Sequence, residues 1–193
     1  MKKVWIIVLV VVVLLGLWMT GKYNSLVQGN ESVKTAWSQV QNVYQRRLDL
    51  IPNLVNTVKW AAAQESGVLI GVTNARANAT KMTVDIKDAQ SLAQFQKTQG
   101  EVSSALSKLL MVTENYPQLQ SIQAFRDLQA QLEGTENRIA VERKNYNDTV
   151  NVYNVLLRQF PMNLVAGMFN FALAQQFQAD EAAQVAPVVD FTK

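Results

Sequence analysis

The chain has neither cysteine nor histidine among its 193 residues. The first absence excludes disulfides, thiol nucleophiles and Cys-ligated metals, and it leaves either redox compartment open. The second removes the usual general acid–base side chain, the Ser–His pair, the imidazole zinc site and the Glu-x-x-His di-iron site of helical bundles. No metal or cofactor is therefore expected. Prolines and glycines are few, four and eight, and no segment shows the strict apolar–polar alternation of a half-buried strand. Charge is sparse at 17% of residues. The net charge of +3 comes from Lys2, Lys3 and Lys22, because residues 23–193 carry 15 basic against 15 acidic side chains. A basic pI of 9.2 thus reflects the N-terminus alone, and nucleic-acid binding loses its electrostatic warrant.

What the chain does have is an apolar run. Residues 4–19 contain no polar side chain. As a helix, sixteen to eighteen residues span roughly 24–27 Å, slightly short of a ~30 Å hydrocarbon core. Snorkelling of Lys3 and Lys22, with Trp5 and Trp18 near the two interfaces, closes the gap. A cleaved signal peptide is the competing reading, but no small-x-small pattern follows and no cysteine is present for lipid attachment. Residues 1–22 are accordingly read as a transmembrane anchor. The two lysines before it outweigh the one after it. That leaves the N-terminus cytoplasmic and the rest on the outer, periplasmic side of a bacterial inner membrane.

Past the anchor the pattern is helical throughout. From Val33 the apolar positions Trp37, Val40, Tyr44, Leu48, Ile51, Val55, Val58 and Ala62 recur every three or four residues. The spacing predicts one helix over about 23–78, roughly 80 Å if continuous, with weak points at Gly29, Pro52, Gly67 and Gly71. A second helix is expected over 89–115 with Asp88 as its cap. A third covers 121–160 with a heptad-like apolar stripe, and a short fourth covers 163–178. Residues 179–193 read as an extended tail. The fold class expected is all-α: a transmembrane helix, then an elongated antiparallel bundle of three long helices plus a short C-terminal helix, residues 23–178. The second helix covers only half the first, so part of the first must face water, membrane or another chain.

Several strings carry a resemblance: Tyr23-Asn-Ser-Leu-Val27, Ala36-Trp-Ser-Gln-Val40, Arg46-Arg-Leu-Asp-Leu-Ile-Pro-Asn-Leu-Val55, Thr73-Asn-Ala-Arg76 and Tyr116-Pro-Gln-Leu119. Further on come the string from Leu128 to Ile139, Tyr146-Asn147, Tyr153-Asn154, Phe160-Pro161 and Pro187-Val-Val-Asp-Phe191. Together they resemble the LemA family of bacterial membrane proteins over nearly the whole chain. The resemblance implies a single-pass anchor carrying an elongated helical bundle. It also implies association with membrane-protein quality control, including membrane metalloproteases of the HtpX type, and kinship with a magnetosome-membrane protein. One departure matters. Where the family usually shows a His-Glu pair this chain has Gln64-Glu65, so a role needing an imidazole there does not transfer.

Three groups of residues are candidates for function. On a helical wheel Arg46, Asp49, Asn53, Asn56 and Trp60 share one side, opposite Tyr44, Ile51, Val55 and Val58. Such a stripe is either a solvated face or a contact surface for another subunit or partner. Arg47 and Glu142 border the core stripes of two helices, and buried charges are costly unless paired. An interhelical pair is therefore expected, extended by Glu136, Arg138 and Arg143. Phe169, Phe171 and Phe177 lie in a segment that is apolar nearly all round, which packs on the bundle end or docks elsewhere. With an odd number of long helices, that segment is placed far from the membrane.

The function these features favour is non-catalytic: a membrane-anchored scaffold or adaptor that forms homo-oligomers or engages other envelope proteins. Anchoring confines the chains to two dimensions, so weak lateral contacts become effective. A membrane-shaping or membrane-bracing coat is the first alternative. The second is a small-ligand receptor or enzyme, for which a Gln/Asn-rich bundle without His or Cys offers poor material.

Overall fold

The computed structural model describes residues 2–60 and 62–178. The expected tail, 179–193, with its motif at residues 187–191, lies outside the described residues. The architecture is all-α. Helix α1 runs unbroken over Lys2–Lys59 and passes through Pro52 without ending. A short 3-10 turn, Ala63–Glu65, leads into α2, Ser66–Thr80. Then follow α3, Ala89–Thr113, the single turn α4, Pro117–Gln120, the long α5, Gln123–Arg158, and α6, Met162–Met168.

The three long helices and the short C-terminal one are present, but two boundaries differ from the sequence reading. The helix expected over 23–78 is a hairpin. The chain reverses between Lys59 and Ser66, and α2 folds back onto α1, so Arg76 reaches Leu48. A straight helix would hold those two residues about 42 Å apart. The reversal buries Leu69, Val72 and Ala79, which a continuous helix leaves in water. The length expected to face water, membrane or another chain is in part folded back on α1 as α2, which corrects that expectation. The second difference lies at the C-terminus. The helix expected over 163–178 ends at Met168, and residues 171–178 run extended along the bundle. Asn170 takes the left-handed conformation, φ 56°, where the chain turns from α6 into this strap. Asparagine tolerates that region better than most side chains.

Asp88 caps α3 by accepting from the Gln90 and Ser91 backbone N–H groups at 3.0 and 3.1 Å. The core divides into two clusters along the bundle. In one, Trp37, Tyr44, Phe95, Tyr146 and Phe177 pack edge to face or stacked around α1 and α5. In the other, Ile51, Leu54, Val72, Val102, Leu109 and Phe125 join α1, α2, α3 and α5. Counting along the chain, α1 rises, α2 descends, α3 rises and α5 descends. The number of passes is even, because α2 adds one that the sequence reading did not resolve. The C-terminal segment therefore returns to the end of the bundle from which the apolar run emerges, and its expected placement far from that run is corrected.

Candidate functional site

The α1–α2 hairpin is locked by a proline. Pro52 has no N–H, so the Leu48 carbonyl four residues before it loses its helical partner. Arg76 Nε donates to that buried carbonyl at 2.9 Å. The two residues belong to different motifs in the sequence, and the structure makes them a donor–acceptor unit.

Between the two core clusters sits Arg47. Its side chain is 2% exposed, while its ion-pair partner Glu136 is 57% exposed. Nη1 donates to Glu136 Oε2 at 3.0 Å and to Ser103 Oγ at 2.9 Å. Nη2 donates to the Gln99 side-chain oxygen at 2.6 Å and to its carbonyl at 3.2 Å. The guanidinium also lies over the Tyr44 ring, 5.1 Å from its centroid. One cation thereby joins α1, α3 and α5 in the planar, multidentate manner only arginine offers. Beside it lies a polar cleft of about 370 Å³ that also exposes Gln96 and Arg143. Burial pushes the Tyr44 hydroxyl above its ordinary range, against the opposing pull of Arg143 and Arg47.

The expected partner of Arg47 was Glu142, and this is corrected. Glu142 is half-buried and accepts from Asn145 of its own helix at 3.2 Å. Glu136, six residues earlier, is the residue level with Arg47. Arg138 is exposed on the outer side of α5. Arg143 stacks over Phe177, 4.8 Å from the ring centroid, and donates to the Gln178 carbonyl at 3.3 Å. The partners missed were Gln99 and Ser103. Their spacing of four on a helix marks a shared face, but a polar residue on such a face reads equally as solvated.

The extended strap is held by a ladder. Asn147 Oδ1 accepts from the Phe177 N–H at 2.9 Å, and its Nδ2 donates to the Phe177 carbonyl at 3.1 Å. Asn154 does the same to Ala174, at 3.0 and 2.8 Å. The preceding tyrosines join in: Tyr146 donates to the Gln175 carbonyl at 2.8 Å and Tyr153 to the Ala172 carbonyl at 3.2 Å. The register is set by simple geometry. Seven helical residues rise about 10.5 Å and three extended residues about 10 Å, so a Tyr-Asn pair repeated at seven meets every third strap residue. Burial raises both tyrosine hydroxyls from their ordinary value and keeps them protonated as donors. Phe177 is thus a core residue wedged among Trp37, Tyr146 and Phe95. It is unavailable for docking, which corrects that part of the Phe169, Phe171 and Phe177 expectation.

The polar stripe of α1 is fully outward. Arg46, Asp49, Asn53 and Asn56 are exposed on α1, and Trp60, 63% exposed, lies in the turn one residue past its end. Asp49 accepts from Gln45 at 2.7 Å. At the other end, none of the described residues covers the apolar first third of α1. Trp5 and Lys3 are exposed there, and Lys22 lies over the Trp18 ring at 5.9 Å. Just beyond, Tyr23 meets Phe169 and Phe171 edge to face at 4.8 and 5.8 Å. Among the described residues, no three acidic side chains gather in a metal-binding arrangement.

Comparison with known proteins bears on these features. A family model described as "LemA family" matches residues 36–191. Magnetosome protein MamQ 2 and Magnetosome protein MamQ 1 of Paramagnetospirillum magneticum (strain ATCC 700264 / AMB-1) are each 26% identical over 187 residues. Magnetosome protein MamQ of Magnetospirillum gryphiswaldense is 23% identical over the same length. In all three, the alignment covers 87% of this chain and 68% of the relative.

Proposed function

This chain belongs to the LemA family, and on that premise we propose that it is a single-pass, membrane-anchored, non-catalytic scaffold that assembles laterally through the outward stripe of α1. The observation that carries this reading is the continuity of α1. The same helix that begins with an uncovered apolar segment becomes the central core helix of the bundle, without a loop between. An anchor joined in this way holds the bundle upright and presents Arg46, Asp49, Asn53 and Asn56 of α1, with Trp60 in the turn just past its end, at fixed heights on one side. Copies confined to one membrane then meet stripe to stripe, and weak contacts suffice. An exposed tryptophan is the residue type on which such contacts most often depend.

In this reading the domain lies on the periplasmic side of a bacterial inner membrane, and the N-terminus is cytoplasmic. Other envelope proteins are its further partners, including a membrane metalloprotease of the HtpX type. The Arg47 knot and the Tyr-Asn ladder are stiffening devices that keep a slender bundle straight.

The test is the mass of the full-length protein in mild detergent, wild type against Trp60→Ala. The expected result is a discrete assembly of several chains that Trp60→Ala reduces to smaller species. A monodisperse single chain in both forms overturns self-assembly.

A further inference from the structure

The end of the bundle nearest the anchor carries an apolar surface that the scaffold reading does not use. Phe160, Leu164 and Met168 are 80, 58 and 67% exposed, and Phe169 is half exposed beside them. They belong to a stretch, residues 159–178, without a single charged side chain. Solvent-facing aromatic and aliphatic side chains in a charge-free stretch are unusual on a surface that meets water alone.

Their height follows from the packing of α5 on α1. Glu136 stands against Arg47, Tyr146 against Trp37 and Tyr153 against the backbone of Gly29. The helices are antiparallel, so five residues past Tyr153 brings Arg158, the end of α5, level with about Asn24, and Phe160 follows two residues on, near the level of Lys22 and Tyr23. Tyr23 fixes the same level independently by its contacts with Phe169 and Phe171. The last apolar residue of the anchor is Met19. Three to four helical residues separate it from that level, about 5–6 Å. The headgroup layer on each side of a bilayer is itself about 5–8 Å thick. Because α1 has no hinge in this interval, Phe160 and its neighbours cannot stand clear of the layer from which α1 emerges. An apolar run slightly shorter than the hydrocarbon core draws them further in.

We propose that Phe160, Leu164, Met168 and Phe169 form a foot that inserts into the headgroup and upper acyl region of the same bilayer leaflet, a second lipid contact beside the anchor. This rests on the reading of residues 4–19 as membrane-spanning. The composition fits the site: aromatic and flexible aliphatic side chains suit the interface, and no carboxylate in 159–178 opposes anionic headgroups. Arg158 is the nearest cation in sequence, and Lys22 stands on α1 at the level inferred for Phe160. The foot and anchor together hold the membrane at two points, which fixes the tilt that a lone helix leaves free.

The absence of native cysteine makes the test clean. Single substitutions Phe160→Cys, Leu164→Cys and Met168→Cys in the full-length protein carry an environment-sensitive fluorophore. The proteins are reconstituted into phosphatidylethanolamine–phosphatidylglycerol vesicles containing nitroxide-labelled lipids. Val11→Cys, inside the anchor, and Val152→Cys, exposed on α5 but well above the foot, are the references. The expected result is loss of fluorescence at all three foot positions from shallow-labelled lipid, at a depth of about 5–10 Å, with none at Val152. Quenching at Val11 but not at the foot overturns the proposal and leaves the anchor reading intact. No quenching at Val11 overturns both. Foot labels shielded from an aqueous quencher yet untouched by lipid nitroxide would overturn the lipid contact in favour of a second copy of the chain.

Discussion

At the scale of single residues, the unit formed by Pro52 and Arg76 is open to a direct test. Arg76→Leu strands the buried Leu48 carbonyl and should cost about 1–3 kcal/mol of unfolding free energy. In Pro52→Ala the new N–H serves that carbonyl, so adding Arg76→Leu should cost much less. Denaturant unfolding of the four proteins in a double-mutant cycle reads the coupling, and additive effects would break the link between the two residues. Sequence reading found each residue and not the pair, because a proline's orphaned carbonyl is visible only once something is seen to reach it. The same holds for Arg47. Its need for a partner was legible from burial, whereas the choice of Glu136 over Glu142 depended on helix register.

The tyrosines of the ladder set an alkaline limit. Burial raises Tyr146, Tyr153 and Tyr44 above the ordinary value of 10.0. Above that pH the unfolded chain loses phenolic protons that the folded chain keeps, so the unfolded state binds fewer protons and stability falls with pH. The stabilisation is fully present below pH 10 and is lost as pH climbs from there towards the folded values. Denaturant midpoints should hold steady below that point and drop above it. Tyr146→Phe should flatten the drop, and an unchanged slope would exclude this tyrosine as its source.

At the scale of elements, helix type and order were legible from periodicity, and two reversals were not. The turn after Lys59 has no proline, and Ala62 continues the three-four spacing into the break. Both arms of the α1–α2 hairpin bury an apolar stripe, so their pattern reads through as one helix. The strap misled for a related reason. Ala174 and Phe177 are three apart, which suits one helical face and also suits an extended chain on a helical ladder. The signal that distinguishes them is the Tyr-Asn repeat at seven in α5. Asn154→Asp keeps an acceptor for the Ala174 N–H but sets an anionic oxygen against the Ala174 carbonyl. A cost of about 1–3 kcal/mol is expected, with faster amide hydrogen exchange at Ala174 than at Phe177, which Asn147 still holds. Equal exchange at the two positions would mean the rungs are not independent.

At the scale of the whole molecule, the unbroken α1 makes the membrane and the bundle parts of one gear train. Every residue between Met19 and Tyr23 sets both an angle and a height, about 100° and 1.5 Å each. A fluid bilayer has no preferred azimuth, so a rotation alone is invisible to a solitary chain. It is visible to an assembly in which neighbours touch both within the bilayer and along the stripe. Inserting one alanine should throw those two sets of contacts out of phase and shrink the assembly in detergent, with lipid contact at Phe160 scarcely altered. Inserting four nearly restores the phase but lifts the bundle by about 6 Å, so the assembly should survive while the foot leaves the headgroups. Spacer length thus works as a two-scale gauge, in which azimuth governs the neighbours and height governs the lipid.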